Sequence, residues 1–520
     1  MISSKIKIVF LVGLFYSCSN KDGQKKDKIY LSNWKSLSTY ECPDWFADAK
    51  FGIWAHSSPQ DVPMEGDWYA HNMYKEGHPN YEYHVQNFGH PSKIGYKDLL
   101  PKWTLDKWKP DSLMNLYKRA GAKYFVALAN HHCNFDTWNS KHQKWNSINI
   151  GPKRDVVGEW KNAADKNGLK FGVSVHNINT WGWFLNAFGS DKKGPLKDVL
   201  YDGRLTLKDG KGKWWEGYDP AMLYSPYERE NDSIPTREWM QNWYDRCVDL
   251  VDSYQPDLLY FDSYIVEQVW RQFTYHGDDT YEGVPDETRK IAERTPFKEA
   301  GIDIISYFYN QNRKWHGKEN GVMNIKVHDL NESVPEIYKK GMVIDREKGG
   351  FGGGEQEIQK YPWQKDRPFG AWHYNKKADF PTTVSVIWNL VDVVSKNGNL
   401  LLGIPMKPDG TLHEKEYKFL EEMGDWMDIN SEGIYESKVY TVYGNKNVRY
   451  TQKGENIYAF CKVINEDTID LKNIHQNVTA IYQLGNNETP KYSITNGTIK
   501  LEFNNPDVKE KVITFKIVTK

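Results

Sequence analysis

The sequence predicts a (β/α)8-like barrel followed by a smaller antiparallel β domain. Between about Pro43 and Trp426, short apolar runs of strand length alternate with amphipathic stretches of helix length, as in strands joined by crossover helices. After that point the sequence changes to short alternating segments separated by Gly, Asn, Asp and Lys turns. The chain of 520 residues is long enough for both domains. We therefore expect the barrel over residues 30–433 and a C-terminal β-sandwich over residues 434–520.

Seven apolar runs are the expected barrel strands, because a parallel strand that is buried on both faces is apolar along its whole length. They start at residues 51, 123, 169, 257, 321, 341 and 399 and read FGIWAHSS, KYFVALANHH, LKFGVSVHN, DLLYFDS, GVMNIKVH, GMVIDRE and NLLLGIP. The eighth strand is the hardest to place, and its candidate is SYFYNQ at residues 306–311.

Amphipathic stretches predict the helices between these strands. They include DSLMNLYKRAGA, GEWKNAADKNG and TREWMQNWYDRCVDLVDSYQP. The long connection from Gly182 to Thr236 is expected to be an insertion in the barrel. In the C-terminal domain the expected strands read KVYTVY, NVRYTQK, NIYAFCKV, VTAIYQL and VITFKIV.

Residues 1–29 have the features of an export signal followed by a polar tether. A lysine-bearing start precedes an apolar run from Ile8 to Tyr16, which is shorter than the ~20 residues of a membrane span. Ser17 and Cys18 follow, and the segment resembles a bacterial lipoprotein signal in which Cys18 becomes the lipidated first residue. An ordinary signal peptide with an incidental cysteine is the alternative. We expect an exported bacterial protein in the periplasm or outer membrane, held at the membrane only by a lipid anchor.

Charge and cysteine content exclude several other classes of protein. The chain has 68 basic and 69 acidic residues, a formal net charge of −1, so no excess of positive charge suggests a nucleic-acid partner. The other cysteines, Cys42, Cys133, Cys247 and Cys461, are scattered and predict neither a disulfide framework nor a zinc ribbon. A small or uncharged partner is therefore expected.

Ionisable side chains stand at the end of almost every predicted strand. In a barrel the carboxyl ends of the strands form one face, and the chemistry collects there. We expect these residues to form a pocket: His56, His131, His132, His176, Asp262, His328, Asp345 and Glu347. Any one of them could be an ordinary loop residue, but so many on one face indicate a site.

Two kinds of chemistry suit such a pocket. A metal site needs ligands that point to the same side, but the chain has no His-x-His pair. The adjacent His131 and His132 would point to opposite faces of a strand unless the chain is already turning. Glycoside hydrolysis needs two carboxyl groups together with neutral partners for hydroxyls, and a neutral imidazole both donates and accepts. The sequence therefore favours glycoside hydrolysis without a metal or cofactor, and metal-dependent hydrolysis stays the alternative.

Four blocks of sequence carry a family resemblance. They read WFADAKFGIWAHSSPQDVPMEGDWYAHNMY, AGAKYFVALANHHCNFDTWNSKHQKWNSINIGPKRDVVGEW, PDLLYFDS and VSKNGNLLLGIPMKPDGTL, the last followed by MGDWMDINSEGIYES. In this order they resemble the α-L-fucosidases of glycoside hydrolase family 29, from about Trp45 to Ser437. The resemblance implies a retaining, exo-acting hydrolase that releases terminal L-fucose from a glycan or oligosaccharide.

The resemblance also implies roles for single residues. Asp262 falls on the position of the nucleophile, and His131 and His132 fall on the histidine pair that grips fucose hydroxyls. His56 matches the histidine that ends the first strand. The other expected sugar-binding residues are Asp67, Trp68, His176 and Tyr260, with Asp67 standing where the family has glutamate.

The acid/base of this family is a glutamate whose location varies. In DREKGGFGGGEQEIQKYPWQ, Glu347 resembles the Glu-Arg-Gly segment of one subset, and Glu355 and Glu357 follow it. We expect Glu347 to be the acid/base, with Glu355 as the alternative.

Departures from the family pattern leave the substrate open. They are His56-Ser57-Ser58 for His-Trp-Gly, Asn130-His131-His132-Cys133 for Lys-His-His-Asp, and Trp363-Gln364-Lys365-Asp366-Arg367 for Trp-Gln-Thr-Asp-Thr. A related sugar such as α-L-galactose, or a catalytically inactive glycan-binding lipoprotein, is therefore an alternative. At the level of single residues, Asp262 could be a helix N-cap and Glu347 a solvated partner of Arg346.

Overall fold

A computed structural model describes residues 28–228, 235–263, 265, 300–326, 336–347, 355–464, 466–485, 489–503 and 510–520. Cys18 with the other residues of 1–27, His328, and the glycine-rich stretch 350–354 lie outside the described residues. Within the part of the chain that the structure describes, no helix is long and apolar enough to cross a membrane.

Eight parallel strands close into a barrel in chain order, as the sequence predicts. The first strand pairs with the last, so the sheet has no free edge. The strands are Phe51–Ala55 (β1), Tyr124–Asn130 (β2), Lys170–Val175 (β3), Leu258–Phe261 (β4), Val322–Lys326 (β5), Val343–Asp345 (β6), Trp363–Pro368 (β7) and Gly398–Gly403 (β8).

The expected position of the eighth strand is wrong. Residues 306–311 belong to the helix Ala300–His316, which buries Ile304, Phe308 and Asn312 at a spacing of four. This helical period overrides the strand preference of the aromatic residues. The missing strand is β7. Its sequence, WQKDRP, contains no apolar run, because Gln364 and Asp366 are among four consecutive polar residues. Alternate residues of a barrel strand point inward, and here the inward residues are polar.

Helices pack around the outside of the barrel. Three of them, Pro110–Arg119, Val156–Asn167 and Arg237–Tyr254, lie where the amphipathic stretches predict helices. The helices are Trp34–Leu37 (α1), Asp44–Ala49 (α2), Tyr69–Asn72 (α3), Pro79–Asn87 (α4), Pro110–Arg119 (α5), Val156–Asn167 (α6), Thr180–Trp183 (α7), Ala221–Tyr224 (α8), Arg237–Tyr254 (α9), Ala300–His316 (α10), Glu336–Gly341 (α11), Thr383–Ser395 (α12) and Glu414–Asn430 (α13).

The connection between β3 and α9 is built from short turns that buried aspartates fix in place. Asp191 accepts hydrogen bonds from the hydroxyls of Tyr81 and Tyr201. Asp202 pairs with the ammonium of Lys97 at 2.9 Å. Because each carboxylate is buried and bonded, the described part of this insertion is held against the connection between β1 and β2.

The C-terminal domain is a β-sandwich of two antiparallel sheets. A five-stranded sheet has the order β13-β16-β11-β10-β9, and a three-stranded sheet has the order β12-β15-β14. Apolar side chains of both sheets, such as Leu501 and Phe515, form a common core. The strands are Lys438–Gly444 (β9), Val448–Lys453 (β10), Asn456–Val463 (β11), Thr468–Lys472 (β12), Val478–Gln483 (β13), Lys491–Thr495 (β14), Thr498–Glu502 (β15) and Lys511–Thr519 (β16).

The two domains contact each other directly. The guanidinium of Arg449 on β10 pairs with Asp392 on α12 at 2.6 Å. The indole of Trp426 on α13 donates a hydrogen bond to the carbonyl of Val512 on β16, at 3.0 Å. The sandwich therefore packs on the outer helices α12 and α13 of the barrel.

Candidate active site

Five ionisable side chains meet at the carboxyl end of the barrel. His56, His131, His176 and Asp262 directly follow β1, β2, β3 and β4, and Lys326 is the last residue of β5. Since parallel strands of a barrel end at one face, the closed sheet brings these groups together. The sequence predicts this convergence for all of them except Lys326.

Asp262 is buried at the centre of this group and is held as a carboxylate. Its Oδ1 pairs with the ammonium of Lys326, and its Oδ2 lies 3.0 Å from His176 Nδ1 and 3.6 Å from His132 Nε2. Burial alone would raise the pKa of Asp262, but Lys326, followed by His176, outweighs burial and holds that pKa well below its usual range. Asp262 is therefore ionised, as a nucleophile must be.

Lys326 links three carboxyl groups and was missed from the sequence. Besides Asp262, its Nζ lies 3.2 Å from Glu347 Oε2 and 2.8 Å from Asp366 Oδ2. Its side chain is 4% exposed. Burial alone would lower the pKa of Lys326, but the carboxyl groups, Asp262 first, raise it well above its usual value. The available signal was a single lysine inside the apolar run GVMNIKVH.

A layer of polar groups lies inside the barrel next to Lys326. The hydroxyl of Tyr260 donates to Asp366 Oδ2 at 3.1 Å, and the amide of Gln364 donates to Asp345 Oδ2 at 2.5 Å. Burial, followed by the charge of Asp366, raises the pKa of Asp345 well above its usual value. Tyr260 and Asp345, both predicted site residues, thus lie fully buried in this inner layer. The sugar contact expected for Tyr260 stays a prediction.

Imidazole rings form one wall of the pocket. The ring centroids of His131 and His132 are 4.4 Å apart, those of His131 and His176 5.0 Å, and those of His56 and His373 4.7 Å. Both His131 and His132 face the pocket because β2 ends at Asn130 and the chain turns there. Burial lowers the pKa of His132 to about 4 and those of His56 and His131 well below their usual value. These three rings are therefore neutral near pH 7.

Hydrogen bonds fix which nitrogen of each neutral ring carries the proton. The amide of Gln60 donates to His131 Nδ1 at 2.8 Å, so Nε2 of His131 carries the hydrogen. His132 Nδ1 donates to the carbonyl of His176 at 2.7 Å, so Nε2 of His132 is an acceptor. The pair thus presents a hydrogen-bond donor at Nε2 of His131 and an acceptor at Nε2 of His132. Both nitrogens of His56 are buried without a hydrogen-bond partner among the described residues.

Asp67 and Trp68, both expected from the sequence to bind the sugar, lie beside these histidines. Asp67 Oδ1 lies 2.8 Å from His373 Nδ1 and 3.7 Å from His131 Nε2. The indole of Trp68 stands edge-on to the His132 ring at 6.2 Å. Trp68 has a left-handed backbone with φ of 63°, a conformation that a residue with a Cβ seldom adopts and that often occurs at functional sites.

His373 was missed from the sequence, and it contacts Ser58, which is one of the departures from the family pattern. Its Nε2 lies 2.8 Å from Ser58 Oγ, and Ser57 donates to the buried Asp61 at 2.7 Å. Burial alone would lower the pKa of His373, but Asp61 and Asp67 outweigh burial and raise that pKa. Ser57 and Ser58 thus belong to a hydrogen-bonded group that positions His373 against the pocket.

The three candidate glutamates occupy different surroundings. Glu347 shares Lys326 with Asp262, and its Oε1 accepts a hydrogen bond from the indole of Trp372 at 3.1 Å. Glu355 pairs with Arg346 at 3.2 Å and lines a separate surface cleft beside α11. Glu357 is exposed to solvent. The structure therefore brings Glu347 to Asp262 and places Glu355 and Glu357 apart from it.

Among the residues that the structure describes, two groups of side chains could hold a metal ion. They are His56, Asp67, His131 and His373, and the set His131, His132 and His176, each with ligand atoms within 4.8 Å of one another. The turn after β2 therefore removes the geometric objection to joint ligation by adjacent histidines. In the first group, however, His131 Nδ1 is occupied by Gln60, and both nitrogens of His373 have protein partners.

Two carboxyl groups beside a wall of imidazole rings, at the carboxyl end of a barrel, are the groups that a glycoside hydrolase needs. Comparison with known proteins agrees and is more specific. The sequence model of the family described as Alpha-L-fucosidase matches residues 17–432, which is well over half of the chain. This protein belongs to the α-L-fucosidase family.

Known relatives resemble the chain over most of its length. The tissue α-L-fucosidases of Macaca fascicularis and Homo sapiens are each 28% identical over 435 residues, which cover 83% of this chain and 77% and 78% of theirs. The structure of Thermotoga maritima α-fucosidase in complex with fucose matches with a TM-score of 0.65 and 23% identity, covering 94% of this chain and 100% of that one. At that identity the structural likeness shows the shared fold.

Proposed function

We propose that this protein is a retaining, exo-acting α-L-fucosidase that releases terminal L-fucose, or a close analogue, from glycans. Family membership supports the reaction, and the burial of the histidine wall supports the exo action. His56, His131 and His373 are 3%, 2% and 0% exposed, so the wall has no opening to solvent at these rings. A wall buried in this way suits a terminal sugar and leaves no room for a chain that continues.

The observation that carries the proposal is the shared contact of Asp262 and Glu347 with Lys326. Because both carboxyl groups touch the same nitrogen, the two contacting oxygens are no more than about 6 Å apart. Retaining glycosidases hold their two carboxyl groups ~5–5.5 Å apart, whereas inverting enzymes need ~6.5 Å or more to admit a water. The spacing therefore supports retention.

The geometry supports a double displacement. In the first step Asp262 attacks the anomeric carbon, the bond to the leaving oxygen breaks, and Glu347 gives that oxygen its proton. In the second step Glu347, now a carboxylate, takes a proton from the water that attacks the same carbon and releases Asp262. Neither step uses a cofactor.

The neutral histidines suit recognition of the sugar hydroxyls. A hydroxyl can accept from His131 Nε2 and donate to His132 Nε2, because the two rings present opposite hydrogen-bonding roles. The indole of Trp68 offers an apolar surface beside them. Such contacts add most to the rate when they tighten in the transition state.

A panel of 4-nitrophenyl glycosides tests the proposed function. We expect hydrolysis of the α-L-fucoside in preference to the α-L-galactoside, at a rate that EDTA does not change, with Asp262→Asn as the inactive control. Preference for the galactoside would show that the substrate is an α-L-galactoside. Activity lost with EDTA and restored by zinc would indicate metal-dependent hydrolysis. Binding of fucosylated glycans without hydrolysis of any member would indicate an inactive glycan-binding protein.

The proposal includes export and lipid anchoring through Cys18, which the sequence of residues 1–29 supports. We expect the wild-type protein in the membrane fraction of the native host. Cys18→Ser should release the protein into the soluble fraction or leave its signal uncleaved. Soluble wild-type protein would contradict the anchor while leaving the proposed activity intact.

A further inference from the structure

Lys326 contacts both carboxyl groups of the proposed reaction, yet the double displacement as written gives it no role. Its nitrogen pairs with Asp262, lies 3.2 Å from Glu347 and lies 2.8 Å from Asp366. The ammonium also lies 5.3 Å from the centre of the Trp372 ring. A cation so placed is shielded from solvent and acts strongly on the charges beside it.

The charge around Lys326 changes during a double displacement. In the free enzyme the ammonium faces the negative charge of the Asp262 carboxylate, while Glu347 carries the proton that the first step requires. Once Asp262 forms an ester with the sugar, it loses its negative charge. The ammonium then acts more strongly on Glu347 and favours its carboxylate form, which is the form that must accept a proton from water.

We propose that Lys326 is a catalytic residue of the second step, in which it keeps Glu347 deprotonated in the intermediate and stabilises the Asp262 carboxylate as the sugar leaves. This inference rests on the proposed fucosidase function. In that step a bond forms between the water oxygen and the anomeric carbon. The bond from that carbon to Asp262 breaks, and its electron pair returns to the Asp262 carboxylate beside Lys326. The proton of the water passes to Glu347.

The two oxygens of Asp262 are divided between two kinds of partner. Oδ1 faces Lys326, whereas Oδ2 faces His176 and His132 in the histidine wall of the pocket. Oδ2 therefore lies on the side where the sugar binds. Oδ1 keeps its contact with the ammonium while Oδ2 carries the sugar, so Lys326 can act on the ester through the whole second step.

Lys326→Met tests the inference through a separation of kcat from kcat/KM. The nitrophenolate of an activated 4-nitrophenyl fucoside leaves with little need of a proton. With this substrate the rate of the first step should stay nearly unchanged, whereas the second step should become slower. We expect kcat to fall by on the order of 100-fold, the scale of one electrostatic group in a site, and kcat/KM by less than about 10-fold. A pre-steady-state burst of one nitrophenolate per enzyme should accompany this change.

Matched variants separate charge from structure. Lys326→Arg keeps the cation and should restore most of kcat. Lys365→Met removes another buried lysine of the barrel, on β7, and should produce no burst. If Lys326→Met does not fold, Lys326→Gln places a polar amide without a charge in the buried site and should show the same burst. Equal losses of kcat and kcat/KM without a burst, in folded Met or Gln variants, would overturn the role of Lys326. A wild-type enzyme inert on every fucoside would instead overturn the proposed function.

Discussion

Asp262→Ala should lower kcat on 4-nitrophenyl α-L-fucoside by on the order of 10⁴-fold while the fold persists. The loss should be this large because the carboxylate forms the covalent bond and no other described carboxyl group pairs with His132 and His176. Azide should partly restore release of nitrophenolate, because it fits the vacated space and attacks the anomeric carbon directly. The product should then be a fucosyl azide of inverted configuration.

The control for this variant is Asp345→Asn, which alters a buried carboxyl group of the neighbouring inner layer. Its effect on kcat should be far smaller, and azide should not change it. Near-normal activity of Asp262→Ala would show that Asp262 is not the nucleophile and that it has a structural role instead.

Glu347→Gln should lower the rate of cleavage of a natural fucoside by ~10²–10⁴-fold. With an activated aryl fucoside, the rate of the first step should fall far less. A sugar hydroxyl is a poor leaving group that needs a proton, whereas nitrophenolate leaves almost unaided. The alkaline limb of the kcat/KM profile should also flatten, because the group that loses its proton there is gone. Both features are measured with the two substrates across a range of pH.

Glu355→Gln is the matched control, since Glu355 pairs with Arg346 and lines a separate cleft. It should show neither the leaving-group selectivity nor the change in the pH profile. If the selective defect appears in Glu355→Gln and not in Glu347→Gln, Glu355 is the acid/base and the assignment of Glu347 is wrong.

The barrel could be predicted from the sequence because most of its strands are continuous apolar runs. Strand β7 could not, because it places Gln364 and Asp366 in the barrel interior and so lacks the apolar signature. The interior carboxyl groups are tolerated because Lys326 and Tyr260 bond to Asp366. Such compensation depends on contacts between strands far apart in the sequence, which no local pattern reveals.

The candidate site was predictable where a residue directly follows a strand, as His131 and Asp262 do. His373 and Lys326 escaped prediction for different reasons. His373 lies in a loop after β7, and its relation to Asp67 arises only when the barrel closes. Lys326 is inside an apolar run, where a long side chain is easily taken for one that reaches solvent. The acid/base stayed open because Glu347 and Glu355 are close in sequence and differ only in their surroundings.

The most direct test of this account is to trap the covalent intermediate. A 2-deoxy-2-fluoro-fucosyl fluoride carries a good leaving group that allows the first step, while its fluorine destabilises the transition state of the second. Peptide mapping by mass spectrometry should then find one fluorofucosyl group per enzyme, on Asp262, and the natural reaction followed by NMR should release α-L-fucose first. An adduct on another residue, or no adduct together with initial release of β-L-fucose, would contradict a retaining mechanism through Asp262.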